Sequence, residues 1–225
     1  LFDSITCNVA ELHYGGVLHN DLKPRNILLD GEGQVILCDL DAAMPLFDLQ
    51  SSGETTQHVR SRDAKGGSSG YYSPEVARWE ADVSLQLGAD CASDVWSLGV
   101  ILFELSSGRN LFHQDINDDK LVSIRDKQRL HAWNGISEAE LTEVLPNEDT
   151  ETREAAKALI RWCLMGDPAD RPSLEQIRGH RFLRPKDGWL QELGVPKEPQ
   201  PAEVDKPVLV QDQFRMRYHA MITHY

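Results

Sequence analysis

The chain has 225 residues, enough for one sizeable domain, and 40% of them are hydrophobic, so a real core can form. Lys and Arg total 23 against 36 Asp and Glu, and the resulting charge of −13 argues against nucleic acid or an anionic membrane as the main partner. The four cysteines (Cys7, Cys38, Cys91 and Cys163) are scattered without a C-x-x-C pair, so neither a zinc site nor a disulfide framework is indicated. Three of them sit among apolar neighbours, which predicts buried, reduced thiols. No run is long enough to span a bilayer, and residue 1 opens no signal peptide.

Residues 1 to 14 read as a helix, with Leu1, Ile5, Val9 and Leu12 at helical spacing and Gly15-Gly16 as its stop. The next stretch, His19-Asn20-Asp21-Leu22-Lys23-Pro24-Arg25-Asn26, lies between the apolar runs Val17-Leu18 and Ile27-Leu29. Those runs suit strand ends, so the polar residues fall on a loop held by sheet at both sides. Asp21 could accept a proton from an attacking hydroxyl, Lys23 could neutralise a phosphoryl group, and Asn26 could offer an oxygen to a metal ion. Aspartate, lysine and a metal-binding amide on one loop form a phosphoryl-transfer set. The bland alternative makes Asp21 a turn cap and Asn26 a turn residue. Asp30-Gly31-Glu32-Gly33 is a turn that predicts a hairpin of Ile27–Leu29 with Val35–Cys38. Asp39-Leu40-Asp41 follows directly.

Residues 41 to 70 are rich in Ser, Gly and Thr, and 50 to 69 read as a mobile loop. The stretch from Ser93 to Leu105 opens on a cap and is apolar almost all round, which predicts a central buried helix. Asp94 could serve as its N-cap. Residues 117–131 and 137–145 read as surface helices, the second opening with the capping box Ser137-x-x-Glu140. Residues 151–165 form a further helix with Ala155, Leu159 and Trp162 on one face, and Ser173-x-x-Gln176 opens another. The stretch 185–207, rich in Pro, Glu and Lys, reads as a linker. After it Phe214, Met216, Tyr218, Ala220 and Ile222 alternate with the period of a strand.

His19-x-Asp21-Leu22-Lys23-Pro24-x-Asn26 resembles the catalytic loop of eukaryotic protein kinases. Small-molecule phosphotransferases share H-x-D-x-x-x-x-N, but three later segments separate the two groups. Gly67-Ser68-Ser69-Gly70-Tyr71-Tyr72-Ser73-Pro74-Glu75 resembles the G-T-x-x-Y-x-A-P-E segment, Asp94-Val95-Trp96-Ser97-Leu98-Gly99 the D-x-W-S-x-G helix, and Asp167-Pro168-Ala169-Asp170-Arg171-Pro172-Ser173 the late D-P-x-x-R-P-S segment. The resemblance covers residues 1 to about 184 and implies an α+β, mainly α-helical, C-terminal kinase lobe with small β-hairpins at the catalytic site.

It also implies roles. Asp21 would act as catalytic base, Lys23 would stabilise charge, and Asn26 and Asp39, the latter in the place of D-F-G, would hold Mg²⁺ on ATP. Ser68 would contact Asp21 and Lys23. His19 would be structural, Asp94 would fix the catalytic loop from below, and Glu75 would pair with Arg171. D-L-K-P looks like the serine/threonine class, so the implied reaction passes the γ-phosphoryl group of ATP to a protein hydroxyl. Two positions depart from the pattern: Asn20 stands where many kinases carry an arginine that receives an activation-loop phosphate, and Asp41 stands in place of the D-F-G glycine. On the resemblance Ser51, Ser52, Thr55, Thr56 and Ser61 are candidate phosphorylation sites in an activation loop. The join from Trp79 to Cys91 is long enough to suggest a surface insertion.

No Gly-rich loop, V-A-I-K lysine or partner glutamate helix is found in the chain, which lacks an initiating methionine. It therefore reads as a piece of something longer, inactive by itself. Tyr218-His219-Ala220-Met221-Ile222-Thr223-His224 resembles the Y-D-x-F-I-S-H first strand of TIR domains, so 208–225 is expected to open a second domain. The expected setting is cytoplasmic and signalling-related, with a protein substrate and without nucleic acid or membrane insertion. The rival reading is a pseudokinase or scaffold module that binds partners and transfers nothing.

Overall fold

The computed structural model describes residues 1–46, 68–82, 90–115 and 117–184. Residues 50–67 of the expected mobile loop, with its five candidate phosphorylation sites, residues 83–89 of the expected insertion, and the expected linker and strand after 184 lie outside them; Ser68 and Ser69, at the end of that expected loop, are described, and Ser69 opens a short 3-10 turn (Ser69–Tyr71). The described elements fall within the unit Leu1–Leu183.

Helix α1 (Phe2–Tyr14) buries Phe2, Ile5, Val9 and Leu12, and stops where Gly16 turns left-handed at φ 76°. Strand β1 (Val17–Leu18) enters the polar loop, and β2 (Ile27–Leu29) leaves it. β2 pairs antiparallel with β3 (Val35–Leu37), with Leu28 opposite Ile36. Their turn is built on Asp30, whose Oδ1 accepts from the backbone N–H groups of Glu32 and Gln34 at 2.8 Å each. β1 pairs instead with β4 (Met44–Pro45), a two-residue strand that the sequence did not mark. The polar loop thus bridges two separate two-stranded sheets.

Helix α2 (Pro74–Ala81) begins at the Ser-Pro-Glu segment. The central helix α3 (Cys91–Ser107) starts two residues before Ser93 and is capped by Asp90, whose Oδ1 accepts from Ala92 and Ser93 N–H. Asp94 therefore lies inside the first turn and is not the N-cap. All residues from Ser93 to Phe103 are buried, and Gly108 ends the helix in the left-handed conformation. α3 packs closely on α6 (Thr150–Cys163), which buries Ala155, Ala156, Leu159, Ile160 and Cys163; Trp162 is only half-buried.

The expected helix over 117–131 is shorter. Only α4 (Ile124–His131) forms, because Gln114 bridges Leu121 and Asp115 Oδ1 captures the N–H of Asn117, which competes with helix start. The one expected over 137–145 shrinks to α5 (Glu138–Leu141), with its capping box in place. The box of Ser173 and Gln176 opens α7 (Leu174–Arg178). Of the cysteines only Cys163 is buried, and burial pushes its thiol up to about 12. Cys7 and Cys38 are half-buried and Cys91 is exposed, because apolar sequence neighbours do not place a residue on an inward face. Among the described residues no helix is long and apolar enough to cross a membrane.

α3 and the end of α6 come close at Gly99, where an added Cβ would meet Cys163 Cβ at 2.7 Å and Leu164 Cδ2 at 2.9 Å. Alanine there gains about 1 kcal/mol of helix propensity but overpacks the seam, which typically costs about 1–3 kcal/mol. Gly99→Ala is expected to lower the urea midpoint with an unchanged slope, and a raised midpoint would show that the seam yields freely.

Candidate active site

The polar loop carries backbone groups that no strand satisfies. Asp94, at 1% exposure, satisfies two of them: its Oδ2 accepts from His19 N–H at 2.9 Å and its Oδ1 from Asn20 N–H at 3.0 Å. Asn20 reaches these bonds in the left-handed region, at φ 63°, which asparagine tolerates better than most residues. His19 is fully buried, and its Nδ1 accepts from Asp21 N–H at 3.4 Å. Leu22 is fully buried beneath the loop.

Asp21, Lys23, Asn26 and Ser68 are brought together on this support. Asp21 Oδ1 accepts from Ser68 N–H at 3.1 Å, and its Oδ2 lies 2.9 Å from Lys23 Nζ. Lys23 Nζ donates to Ser68 Oγ at 2.7 Å. Asn26 Nδ2 donates to both the backbone oxygen and Oδ2 of Asp21, at 2.9 and 3.1 Å. With its nitrogen so engaged, Asn26 has its Oδ1 left to offer to a cation. Asp39 follows Cys38, whose N–H donates to Asn26 O at 3.0 Å, so the two positions are neighbours across β2 and β3. Among the described residues Asp39 has no side-chain hydrogen bond, and it is exposed. One amide oxygen and one carboxylate are hard donors that suit Mg²⁺, which commonly takes few protein ligands and completes its shell with phosphates and water. The donor set fits Mg²⁺ on a nucleotide.

Asp39 also holds a left-handed backbone, at φ 61°. Asp41, in the place of the D-F-G glycine, is not among the described residues with positive φ, so its side chain meets no left-handed backbone. A carboxylate held in a sparsely populated region is the kind of strain that gathers at functional sites.

The Ser-Pro-Glu segment is anchored from far away. Arg171 donates to both oxygens of Glu75 at 2.7 Å, with side-chain exposures of 0% and 5%. It also donates to Met165 O and Ala92 O, each at 2.9 Å, and stacks over the Trp96 ring. Upstream of Glu75, Tyr71 O–H donates to Glu104 at 2.8 Å, and burial raises the Glu104 carboxyl to about 7.

Two contributors carry no signature in the sequence. Asp119 stands 3.9 Å from Lys23 Nζ and 3.5 Å from Arg25 Nε. His13 Nε2 lies 2.8 Å from Asp94 Oδ2. Burial works against its charge, but Asp94 and the neighbouring Cys91 raise the His13 imidazole to about 9. A histidine in the last turn of α1 was the available hint, and nothing local tied it to Asp94.

The model of the protein kinase domain matches residues 1–183. The chain belongs to the protein kinase domain family. It is 30% identical over 185 residues to the serine/threonine-protein kinase AtPK2/AtPK19 of Arabidopsis thaliana, across 80% of this chain and 32% of that kinase. It is 32% identical over 181 residues to the cysteine-rich receptor-like protein kinase 14 of the same plant, across 77% of this chain and 25% of the relative. With the serine/threonine-protein kinase TOS3 of Saccharomyces cerevisiae the identity is 30% over 192 residues, covering 80% and 31%. The chain spans a third or less of the length of each.

Two expectations follow for this chain. Arg171→Ala leaves Glu75 buried and unpaired, so it is expected to cost about 3–5 kcal/mol. Replacing both should cost less than the single losses summed, and additivity in a double-mutant cycle would show that the pair does not couple. His13, raised to about 9 from 6.5, gives stability that is fully present below about pH 6.5 and lost as pH rises through 9. The difference in unfolding free energy between wild type and His13→Gln should shrink by a few kcal/mol, to order of magnitude, across that window. Glu104 titrates in a lower window and cancels in the difference. A flat difference would show that His13 is uncharged.

Proposed function

We propose that this lobe carries the phosphoryl-transfer residues of a serine/threonine protein kinase, acting once a nucleotide-covering lobe is joined to it. The observation that carries the reading is the cluster of Asp21, Lys23, Asn26 and Ser68, linked by contacts of 2.7–3.1 Å on a loop pinned to the central helix. Asp21 orients a substrate hydroxyl and accepts its proton. Lys23 carries the positive charge that faces the transferring group, and Ser68 holds Lys23 and Asp21 in register. Asn26 and Asp39 would hold Mg²⁺ on ATP, and that ion, when bound, supplies the charge neutralisation phosphoryl transfer needs. His19, Glu75, Asp94 and Arg171 are positioning residues.

The serine/threonine class is supported by D-L-K-P and by the names of the relatives. A protein hydroxyl is then the acceptor. A cytoplasmic setting belongs to the same proposal and is supported by four free thiols. We also take 185–207 as a linker and 208–225 as the opening of a TIR-like second domain, a reading that rests on the Tyr218–His224 pattern and on a family match that ends at residue 183.

Asn20 and Asp41 favour a scaffold that transfers nothing, and one substitution separates the readings. In a chain that includes the nucleotide-covering lobe, Asp21→Asn is expected to lower kcat by about two to four orders of magnitude and leave ATP affinity nearly unchanged. Equal rates for variant and wild type, or no transfer by either, would favour the scaffold.

A further inference from the structure

The chain carries a net charge of −13, yet residues 120–131 set four cations (Lys120, Arg125, Lys127 and Arg129) against the one carboxylate of Asp126. That stretch is therefore +3, which leaves −16 for the rest. Two of the cations are taken: Lys120 Nζ lies 3.1 Å from Asp118, and Arg129 lies 2.7 Å from Glu140. Arg125 and Lys127 are exposed and, among the described residues, have no ion pair. Beside them stand Val122, 57% exposed, and Ile124, 75% exposed. A lone exposed apolar side chain is ordinary, but a branched pair among unpaired cations has the composition of a docking surface. Ile124, Lys127, Gln128 and His131 recur at helical spacing and are all exposed, while Leu130 turns inward. The surface is also firmly held. Leu121 is buried, Val122 N–H donates to His113 O at 3.2 Å, and the Arg129 guanidinium lies over the Phe112 and Trp133 rings. A pre-formed surface lowers the ordering cost of binding. Leu121 N–H donates to Ser69 Oγ at 2.9 Å and Gly70 N–H to Asp119 O at 3.0 Å, which joins this surface to the segment that sets Ser68 beside Asp21.

We propose that Val122, Ile124, Arg125 and Lys127 form a docking surface for a protein segment that interleaves apolar residues with Asp or Glu, and that such a segment tethers a protein substrate beside Asp21. The docking stands on the surface alone; the tethering rests on the phosphoryl-transfer reading. Apolar side chains of the partner cover Val122 and Ile124. Its carboxylates meet Arg125 and Lys127, the guanidinium taking a carboxylate through two parallel N–H donors. A nucleic-acid duplex or an anionic membrane is also negative, but each extends far past this face and meets the −16 borne by the rest of the chain. A short segment responds mainly to charges within a Debye length, about 8 Å at physiological salt. Charge complementarity therefore selects an acidic protein segment.

The test selects random peptides of about twelve residues, about 40 Å long when extended, displayed on phage against the whole chain. Enriched peptides should combine Asp or Glu with Leu, Ile, Val or Phe, and synthetic copies should bind the chain in a calorimetric titration. Arg125→Glu with Lys127→Glu should weaken those copies about tenfold or more, because like charges then face each other. Ile124→Ser should weaken them severalfold. All three side chains are exposed, so the urea midpoint should hold within error. Added salt should weaken binding to the wild type and not to the charge-reversed variant. No enrichment, enrichment of basic peptides, or an affinity that these substitutions leave unchanged would overturn the surface. Tighter binding of phosphatidylserine vesicles or of a DNA duplex, lost on the same charge reversals, would overturn the choice of partner. In a chain that includes the nucleotide-covering lobe, fusing an enriched peptide to an acceptor peptide should lower KM severalfold with kcat unchanged. An unchanged KM would overturn the tether alone. Absence of any transfer would count against the kinase reading, and the tether with it, while the docking surface is judged by binding.

Discussion

The polar loop between β1 and β2 depends on one buried carboxylate. A polypeptide that leaves β1 and must reach β2 has backbone N–H groups with no strand to receive them, and buried groups of that kind must be satisfied. Asp94 receives two, from His19 and Asn20, while His13 balances its charge. The acceptor sits in the first turn of α3, whose residues from Ser93 to Phe103 are all buried. Asp21, Lys23 and Asn26, on an irregular loop, are thereby tied to a helix buried on all sides.

A second constraint closes the site from the other side. Ser68 can reach Asp21 and Lys23 only if the segment up to Glu75 is held down, and Arg171 does that from a point 96 residues along the chain. Desolvating a guanidinium and a carboxylate is expensive, and their attraction recovers it only when the remaining donors are also met. Arg171 meets that condition by donating to Met165 O and Ala92 O as well as to Glu75. Such a pair contributes little as net stability. What it does is join α2, the start of α3 and the turn before α7 in one arrangement, which fixes where Ser68 stands.

Much of the fold of residues 1–183 is legible in the sequence because its signals are local. The period of α1, the turn at Asp30, the capping boxes at Ser137 and Ser173, and the apolar run of α3 each lie within a few residues of the element they specify. The motif order was legible too, since the loop, the Ser-Pro-Glu segment and the Arg171 segment each carry their own residue pattern. The first half of the helix expected over 117–131 did not form for an equally physical reason: Asp115 offered the backbone an alternative partner, and the bridge of Gln114 to Leu121 held it there.

By itself, then, the sequence determined where α1, the β2–β3 hairpin, the buried run of α3 and the two capping boxes lie, because turn, cap and periodicity energies act over one or two turns of chain. Only the tertiary structure decided that Asp94 serves the loop between β1 and β2 while Asp90 caps the helix, that His13 stands beside Asp94, that β1 pairs with β4, and that Asp39 takes a left-handed backbone. Those outcomes depend on which distant groups meet in a desolvated space, and a carboxylate's role there is set by the donors that reach it.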